Sequence, residues 1–107
     1  MKCIAFIQTK EGKANKASLE AAGLASGLGE TVAVVSGHLE GDGGLGAVGV
    51  SRILHTAAQL DDSQMARLVS AAVEQESATV VVCAQDHLGK AVAGRIAVRI
   101  GAGLIAG

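Results

Sequence analysis

Aromatic residues are almost absent from this chain of 107 residues, which has no tryptophan or tyrosine and a single phenylalanine, Phe6. Platforms on which bases or flavin rings stack are made of aromatic side chains, so the sequence cannot supply such a site. The core must therefore be built from valine, isoleucine, leucine and alanine.

An excess of charge of either sign is also missing, because nine basic residues are balanced by ten acidic ones. Nucleic-acid-binding domains normally carry a basic excess on one face, which makes that function a poor fit. No apolar run approaches the roughly 18 residues of a membrane span, and the start of the chain lacks the layout of a signal peptide. We expect a soluble, intracellular domain without a nucleic-acid partner or membrane insertion.

Cysteine is scarce, and neither the cysteines nor the histidines have the spacing of a metal site or a catalytic site. Cys3 starts one predicted strand and Cys83 ends another, so in a parallel sheet their thiols lie at opposite ends and a disulfide is not expected. The three histidines, His38, His55 and His87, include no i, i+4 pair, and the cysteines do not form a ligand pair. The sequence therefore predicts neither a metal site nor a catalytic constellation.

Five short, mainly apolar runs dominate the rest of the sequence and predict strands. They cover residues 3–7, 32–35, 52–54, 80–83 and 104–105. Runs without polar alternation are typical of strands buried on both faces of a parallel sheet. We predict one α/β domain over residues 1–107, in which helices cover both faces of a four- or five-stranded parallel sheet in three α/β/α layers.

Helical patterns separate several of these strands. Asn15 is a good N-cap for a first helix, and Asp61 begins the acidic cap of a second. The predicted apolar side of the first helix is formed by Ala17, Ala21, Leu24 and Leu28, and that of the second by Met65, Leu68, Val69, Ala72 and Val73. Arg67, Glu74, Gln75 and Glu76 are predicted to face solvent.

Two segments of the predicted sheet invite a search for a phosphate site, because ligands of such sheets bind beyond the carboxyl ends of the strands. After the first strand, Lys10, Lys13 and Lys16 lie near a helix N-terminus, which indicates either an anion pocket or a solvated loop. Six glycines between residues 36 and 50 produce two G-x-G-x-x-G matches, but no full helix follows them. We interpret that segment as a mobile loop with a short helical turn near Leu45–Val48.

The last third of the chain carries a family resemblance. Gly89-Lys90 and the later stretch GRIAVRIGAGL, residues 94–104, resemble the amino-terminal domain of the electron transfer flavoprotein alpha subunit. The stretch NKASLEA, residues 15–21, matches the point at which that family begins its first helix. The resemblance implies a Rossmann-like, adenine-nucleotide-alpha-hydrolase-like sheet of order 3-2-1-4-5. The family's Gly-Arg-Asp is Gly-Lys-Ala here, so contacts made through that aspartate are not implied.

This resemblance implies a role in a heterodimer. In the family, the alpha subunit pairs with a beta subunit, and a downstream domain carries most of the FAD contacts. The segments of that FAD-binding domain are absent from these 107 residues, so we expect no cofactor here and FAD in the full-length parent. The domain would be a non-enzymatic part of an electron carrier that serves acyl-CoA or other dehydrogenases, in the bacterial cytoplasm or the mitochondrial matrix.

Arg95 and Arg99 lie one turn apart on the last predicted helix, where like charges call for an acidic neighbour. That neighbour is either a carboxylate of the same domain or a residue of another subunit, which makes the two arginines candidate interface residues. An alternative function also remains open, since the chain resembles universal stress proteins, which are free-standing AMP- or ATP-binding modules. In that case Lys10 and Lys13 would be the cofactor-binding residues.

Overall fold

The computed structural model describes residues 2–58, 60–83 and 103–106. In chain order its elements are β1 (Lys2–Ile7), β2 (Thr9–Lys10), β3 (Lys13–Ala14), α1 (Lys16–Leu28), β4 (Glu30–Ser36), a 3-10 turn (Gly46–Val48), β5 (Arg52–Thr56), α2 (Asp62–Glu76), β6 (Val80–Cys83) and β7 (Gly103–Ala106). Five of the strands form one parallel sheet in the order β5-β4-β1-β6-β7. The predicted fold class and the 3-2-1-4-5 order are thus confirmed.

Strand β1 is the centre of the sheet and supplies both cores. It pairs with β4 from Lys2 opposite Glu30 onward and with β6 from Cys3 opposite Val80 onward. Alternate side chains of a strand point to opposite faces. Ile4 and Phe6 accordingly belong to the cluster under α2, while Cys3, Ala5 and Ile7 belong to the cluster under α1. The continuous apolar run in β1 is therefore explained by burial on both faces.

Helix α1 packs through small residues, and the predicted apolar side was wrong in part. Its buried positions are Ser18, Ala21, Ala22 and Ala25, whereas Leu24 and Leu28 are 44% and 40% exposed. Small side chains let the helix come close to the sheet, and the two leucines lie on its flank. Ser18 is suited to the centre because its hydroxyl accepts a hydrogen bond from Gln8 N at 2.8 Å. The predicted N-cap is confirmed, since Asn15 Oδ1 accepts from Ser18 N at 2.8 Å.

Helix α2 begins with a capping box in which Asp61 and Gln64 each accept from the other's backbone N–H, at 2.7 and 3.0 Å. Its predicted apolar stripe is confirmed, with Met65 and Val69 fully buried. The prediction for Glu76 was wrong, because this carboxylate is buried rather than solvated.

The burial of Glu76 is explained by two cations at the amino edge of the sheet. Lys2 Nζ lies 3.1 Å from one carboxylate oxygen, and the Arg52 guanidinium donates to the other. Lys2 begins β1 and Arg52 begins β5, so the carboxylate ties the end of α2 to two strands. Hydrogen bonding from Lys2 lowers the pKa of Glu76, although partial burial opposes the shift.

The third predicted helix, which includes Arg95 and Arg99, lies outside the described residues. Within the part of the chain that is described, no helix combines the length and the apolar character needed to cross a membrane.

Candidate functional site

The carboxyl edge of the sheet is where a ligand site is expected in this architecture. Two described segments meet there: the β2–β3 hairpin, which follows β1, and the glycine-rich loop of residues 37–51, which follows β4. The segment that follows β6, residues 84–102, lies outside the described residues. The hairpin and the glycine-rich loop therefore define the part of the edge whose geometry is known.

The hairpin is a tight two-residue turn that the sequence analysis missed. Thr9 pairs with Ala14 and Lys10 with Lys13, which leaves Glu11 and Gly12 as the turn residues. Both have positive φ, 54° and 83°, as a type I′ hairpin turn requires. Glutamate is uncommon at such an angle, so only the glycine indicated a turn at this position.

Backbone hydrogen bonds fasten the hairpin to the glycine-rich loop. Glu40 N donates to Gly12 O at 2.8 Å, and Ala14 N donates to Gly43 O at 3.1 Å. Gly12 has the positive φ that favours glycine, and a Cβ there would lie 2.6 Å from Glu40 Cγ, so another residue would also have to displace the Glu40 side chain. The two segments thus form one continuous wall at this edge of the sheet.

Asp42 organises the interior of the glycine-rich loop. Its Oδ1 accepts from Gly44 N at 2.9 Å, and its Oδ2 accepts from Gly46 N at 3.0 Å. These N–H donors, Gly44 first, lower the pKa of the Asp42 carboxyl below its ordinary value. A 3-10 turn follows at Gly46–Val48, where the sequence predicted a short helical turn.

Leu45 anchors the same loop to the body of the domain. Its side chain is fully buried in the cluster under α1. At the far end of the 3-10 turn, Ser26 Oγ donates to Val48 O at 2.8 Å and so ties the loop to the helix. The interpretation of residues 36–50 as a mobile loop does not fit this packing, because a fully buried leucine holds the segment in place.

A surface pocket of about 390 Å³ lies between the hairpin, the start of α1 and the glycine-rich loop. This volume falls in the range of small-molecule sites. The pocket residues are Lys13, Ala14, Leu19, Glu40, Gly41, Asp42, Gly43 and Gly44. One cation and two carboxylates thus border a pocket with apolar walls at Ala14 and Leu19, which is a poor environment for a multiply charged anion.

Only one of the two lysines that were predicted as candidates for anion binding lies at this pocket. Both Lys10 and Lys13 are exposed, and of the two only Lys13 borders it. At the nearby end of α1, the predicted cap Asn15 accepts from Ser18 N, so one of the N–H groups that could bind an anion is already bonded. Phosphate binding by Lys10 and Lys13 remains a prediction.

The other polar side chains described at this edge are isolated groups. His55 Nε2 lies 2.7 Å from Gly37 O, and His38 Nε2 lies 3.5 Å from Glu40 Oε1. Among the described residues, no three histidine, cysteine or acidic side chains cluster as metal ligands. Cys3 and Cys83 are buried in the clusters on opposite faces of the sheet, and burial raises the pKa of the Cys3 thiol.

The sequence analysis missed Glu40, Asp42 and Leu19 as residues of the candidate site. A signal for Asp42 was present, because an aspartate followed by glycines is typical of a turn in which the carboxylate accepts a backbone N–H two residues later. Leu19 gave no comparable signal, since its contact with the glycine-rich loop depends on how α1 docks.

Comparisons with known proteins agree with this architecture. A family model described as electron transfer flavoprotein domain matches residues 4–107. Among solved structures, a universal stress protein in complex with cAMP is similar, with a TM-score of 0.54, 12% sequence identity, and coverage of 98% of this chain and 94% of that one. At such low identity the likeness supports the fold alone. No curated protein sequence matches significantly.

Proposed function

The chain belongs to the electron transfer flavoprotein domain family, and on this basis we propose that it is the amino-terminal domain of an alpha subunit. The FAD-binding domain would lie elsewhere in the parent subunit. Electrons would pass through the FAD of the parent heterodimer, so this domain would be a scaffold in which no bond is made or broken.

The observation that carries this proposal is the family match over residues 4–107, on a sheet with packed clusters on both faces. The organisation of the core is consistent with a scaffold. Phe6, the single aromatic residue, is 1% exposed in the cluster under α2 and is therefore not placed to stack on a flavin ring. A domain of this kind supports flavin chemistry by packing against the subunits that hold the cofactor.

The partners in this proposal are the beta subunit and, through the heterodimer, acyl-CoA or other dehydrogenases of the bacterial cytoplasm or the mitochondrial matrix. We propose that Arg95 and Arg99 contact acidic residues of the beta subunit, because their spacing on the predicted last helix aligns two like charges. Leu24 and Leu28, the exposed leucines of α1, are the described side chains most suited to an apolar contact with a partner.

Assembly from separate chains tests the proposal. The domain is mixed with the beta subunit and the FAD-carrying remainder of the alpha subunit, and complexes are measured by analytical ultracentrifugation. We expect an assembly that contains one copy of each chain. Arg95→Ala combined with Arg99→Ala should weaken it by about tenfold or more, as for ion pairs worth about 1.4 kcal/mol. Arg67→Ala on the exposed side of α2 is the matched control.

A domain that sediments alone at every mixing ratio would contradict the scaffold role. If Arg67→Ala weakened the assembly as much as the double substitution does, the scaffold role would stand. The assignment of the two arginines to the interface would be rejected.

A nucleotide-binding module is the second candidate function. The likeness to a universal stress protein in complex with cAMP suggests it, whereas the two carboxylates that border the pocket beside Lys13 oppose it. A free-standing domain would then bind AMP or ATP, with Lys10 and Lys13 near the phosphates. Calorimetric titration with both nucleotides tests this function. Binding that Lys10→Ala and Lys13→Ala weaken, and Arg67→Ala does not, would support it.

A further inference from the structure

The glycine-rich loop has the geometry of an anion-binding turn, but a carboxylate of its own occupies it. The N–H groups of Gly44 and Gly46 both point at the side chain of Asp42, with N to O distances of 2.9 and 3.0 Å. Glycine-rich loops hold phosphate by pointing several neighbouring backbone N–H groups at one anion. Here the two oxygens of one carboxylate satisfy both donors.

We propose that Asp42 is a specificity-determining residue, which closes the glycine-rich loop to phosphate and restricts the adjoining pocket to uncharged or cationic ligand groups. An intramolecular anion has a high effective concentration at its own site, so free phosphate competes poorly for the same donors. The proposal depends on the contacts of this loop and holds whether or not the domain assembles with a flavoprotein partner.

The charges around the pocket act in the same direction. Glu40 and Asp42 both border it, and Lys13 is the one cation among its residues. A phosphate at the loop would therefore meet two carboxylates of like charge. Both are exposed, so this repulsion is weakened by water, and the occupied N–H donors are the larger obstacle. An uncharged or positively charged group meets no such repulsion.

The glycines of the loop are explained by the internal carboxylate. A Cβ on Gly46 would lie 2.6 Å from Asp42 Oδ2, so a side chain at this position would displace the carboxylate. Gly44 has a φ of 89°, in the region that favours glycine, and its N–H is thereby turned toward Asp42 Oδ1. The G-x-G-x-x-G matches therefore mark a turn built around Asp42 rather than a dinucleotide site.

The proposal also constrains the second candidate function. If the domain binds AMP or ATP, the phosphates must lie away from Gly44 and Gly46, for example toward Lys10 and Lys13. Amide shifts at the two glycines distinguish this loop from any other phosphate site.

The test is a titration of the ¹⁵N-labelled protein with inorganic phosphate and with AMP, followed at the amide resonances of Gly44 and Gly46. The wild-type protein should show no saturable shift at either amide. Asp42→Ala should show saturable shifts at both, with a dissociation constant about tenfold or more below any wild-type value. Glu74→Gln, which makes the same change in net charge at an exposed position of α2 that does not border the pocket, should behave like the wild type.

A second variant keeps the test decisive if Asp42→Ala disturbs the loop, as reported by the methyl resonances of buried Leu45. Asp42→Asn retains one acceptor oxygen and so frees one of the two N–H donors, which predicts a phosphate-dependent shift at a single glycine. Saturable shifts at Gly44 and Gly46 in the wild type, or in Glu74→Gln to the same extent as in Asp42→Ala, would overturn the proposal. So would a well-folded loop in either Asp42 variant that binds no phosphate.

Discussion

Replacing Leu45 by alanine should destabilise the domain strongly, although this residue lies in a loop. Its side chain is fully buried in the cluster under α1, among Ala21, Ala22 and Ala25. The substitution removes three carbon atoms from the core, which at about 0.8 kcal/mol each amounts to about 2.4 kcal/mol of lost transfer free energy. The cavity left behind raises the expected loss to about 3 kcal/mol.

The assay is urea unfolding followed by circular dichroism. With a slope of about 2 kcal/mol per molar urea, a loss of about 3 kcal/mol lowers the unfolding midpoint by roughly 1.5 M. Leu24→Ala is the matched control, because it makes the same chemical change at a leucine that is 44% exposed. Its effect should stay within about 0.5 kcal/mol, as for most surface substitutions.

Equal midpoints for Leu45→Ala and Leu24→Ala would refute the reasoning. They would mean that Leu45 contributes no more than an exposed leucine, and that the glycine-rich loop is not held by its anchor. A loss of only about 1 kcal/mol would mean that the loop collapses into the cavity.

Two further predictions concern the helix ends. Asn15→Ala removes the oxygen that accepts from Ser18 N, so it should cost about 1 kcal/mol in urea unfolding. Asn15→Asp retains an acceptor, and an equal loss in both variants would count against the cap. For Glu76, hydrogen bonding from Lys2 lowers the pKa below its ordinary value of 4.5, so its stabilisation is present above that pH and is lost as pH falls through the lowered pKa. Glu76→Gln should therefore lower the urea midpoint most at neutral pH and least in strong acid, and an equal loss at both pH values would contradict this account of Glu76.

The sheet could be predicted because the apolar side chains of its strands must be buried on both faces. Residues 32–35 and 80–83 are uninterrupted apolar runs, and only strands covered on both faces bury such runs completely. The caps at Asn15 and Asp61 could also be predicted, because each side chain accepts a hydrogen bond from the backbone N–H three residues later and needs no distant partner.

The predictions that were wrong, and the pocket that was missed, concern residues whose partners lie far along the chain. Glu76 has the position of a solvent-facing residue on α2, and only the fold brings Lys2 and Arg52 to it. Leu24 and Leu28 fit a helical stripe, but the distance between α1 and the sheet is set by alanine and serine on another side of the helix. The pocket was missed for the same reason, since it forms where the hairpin, α1 and the glycine-rich loop meet.

The small-molecule content of the purified protein tests the central claim most directly. The domain alone and the complex assembled from separate chains are denatured, and the released compounds are identified by chromatography and mass spectrometry. The scaffold account predicts that the domain alone releases neither flavin nor nucleotide and that FAD appears with the complex. Release of AMP or ATP from the domain alone, at close to one molecule per chain, would contradict the account and favour the nucleotide-binding module.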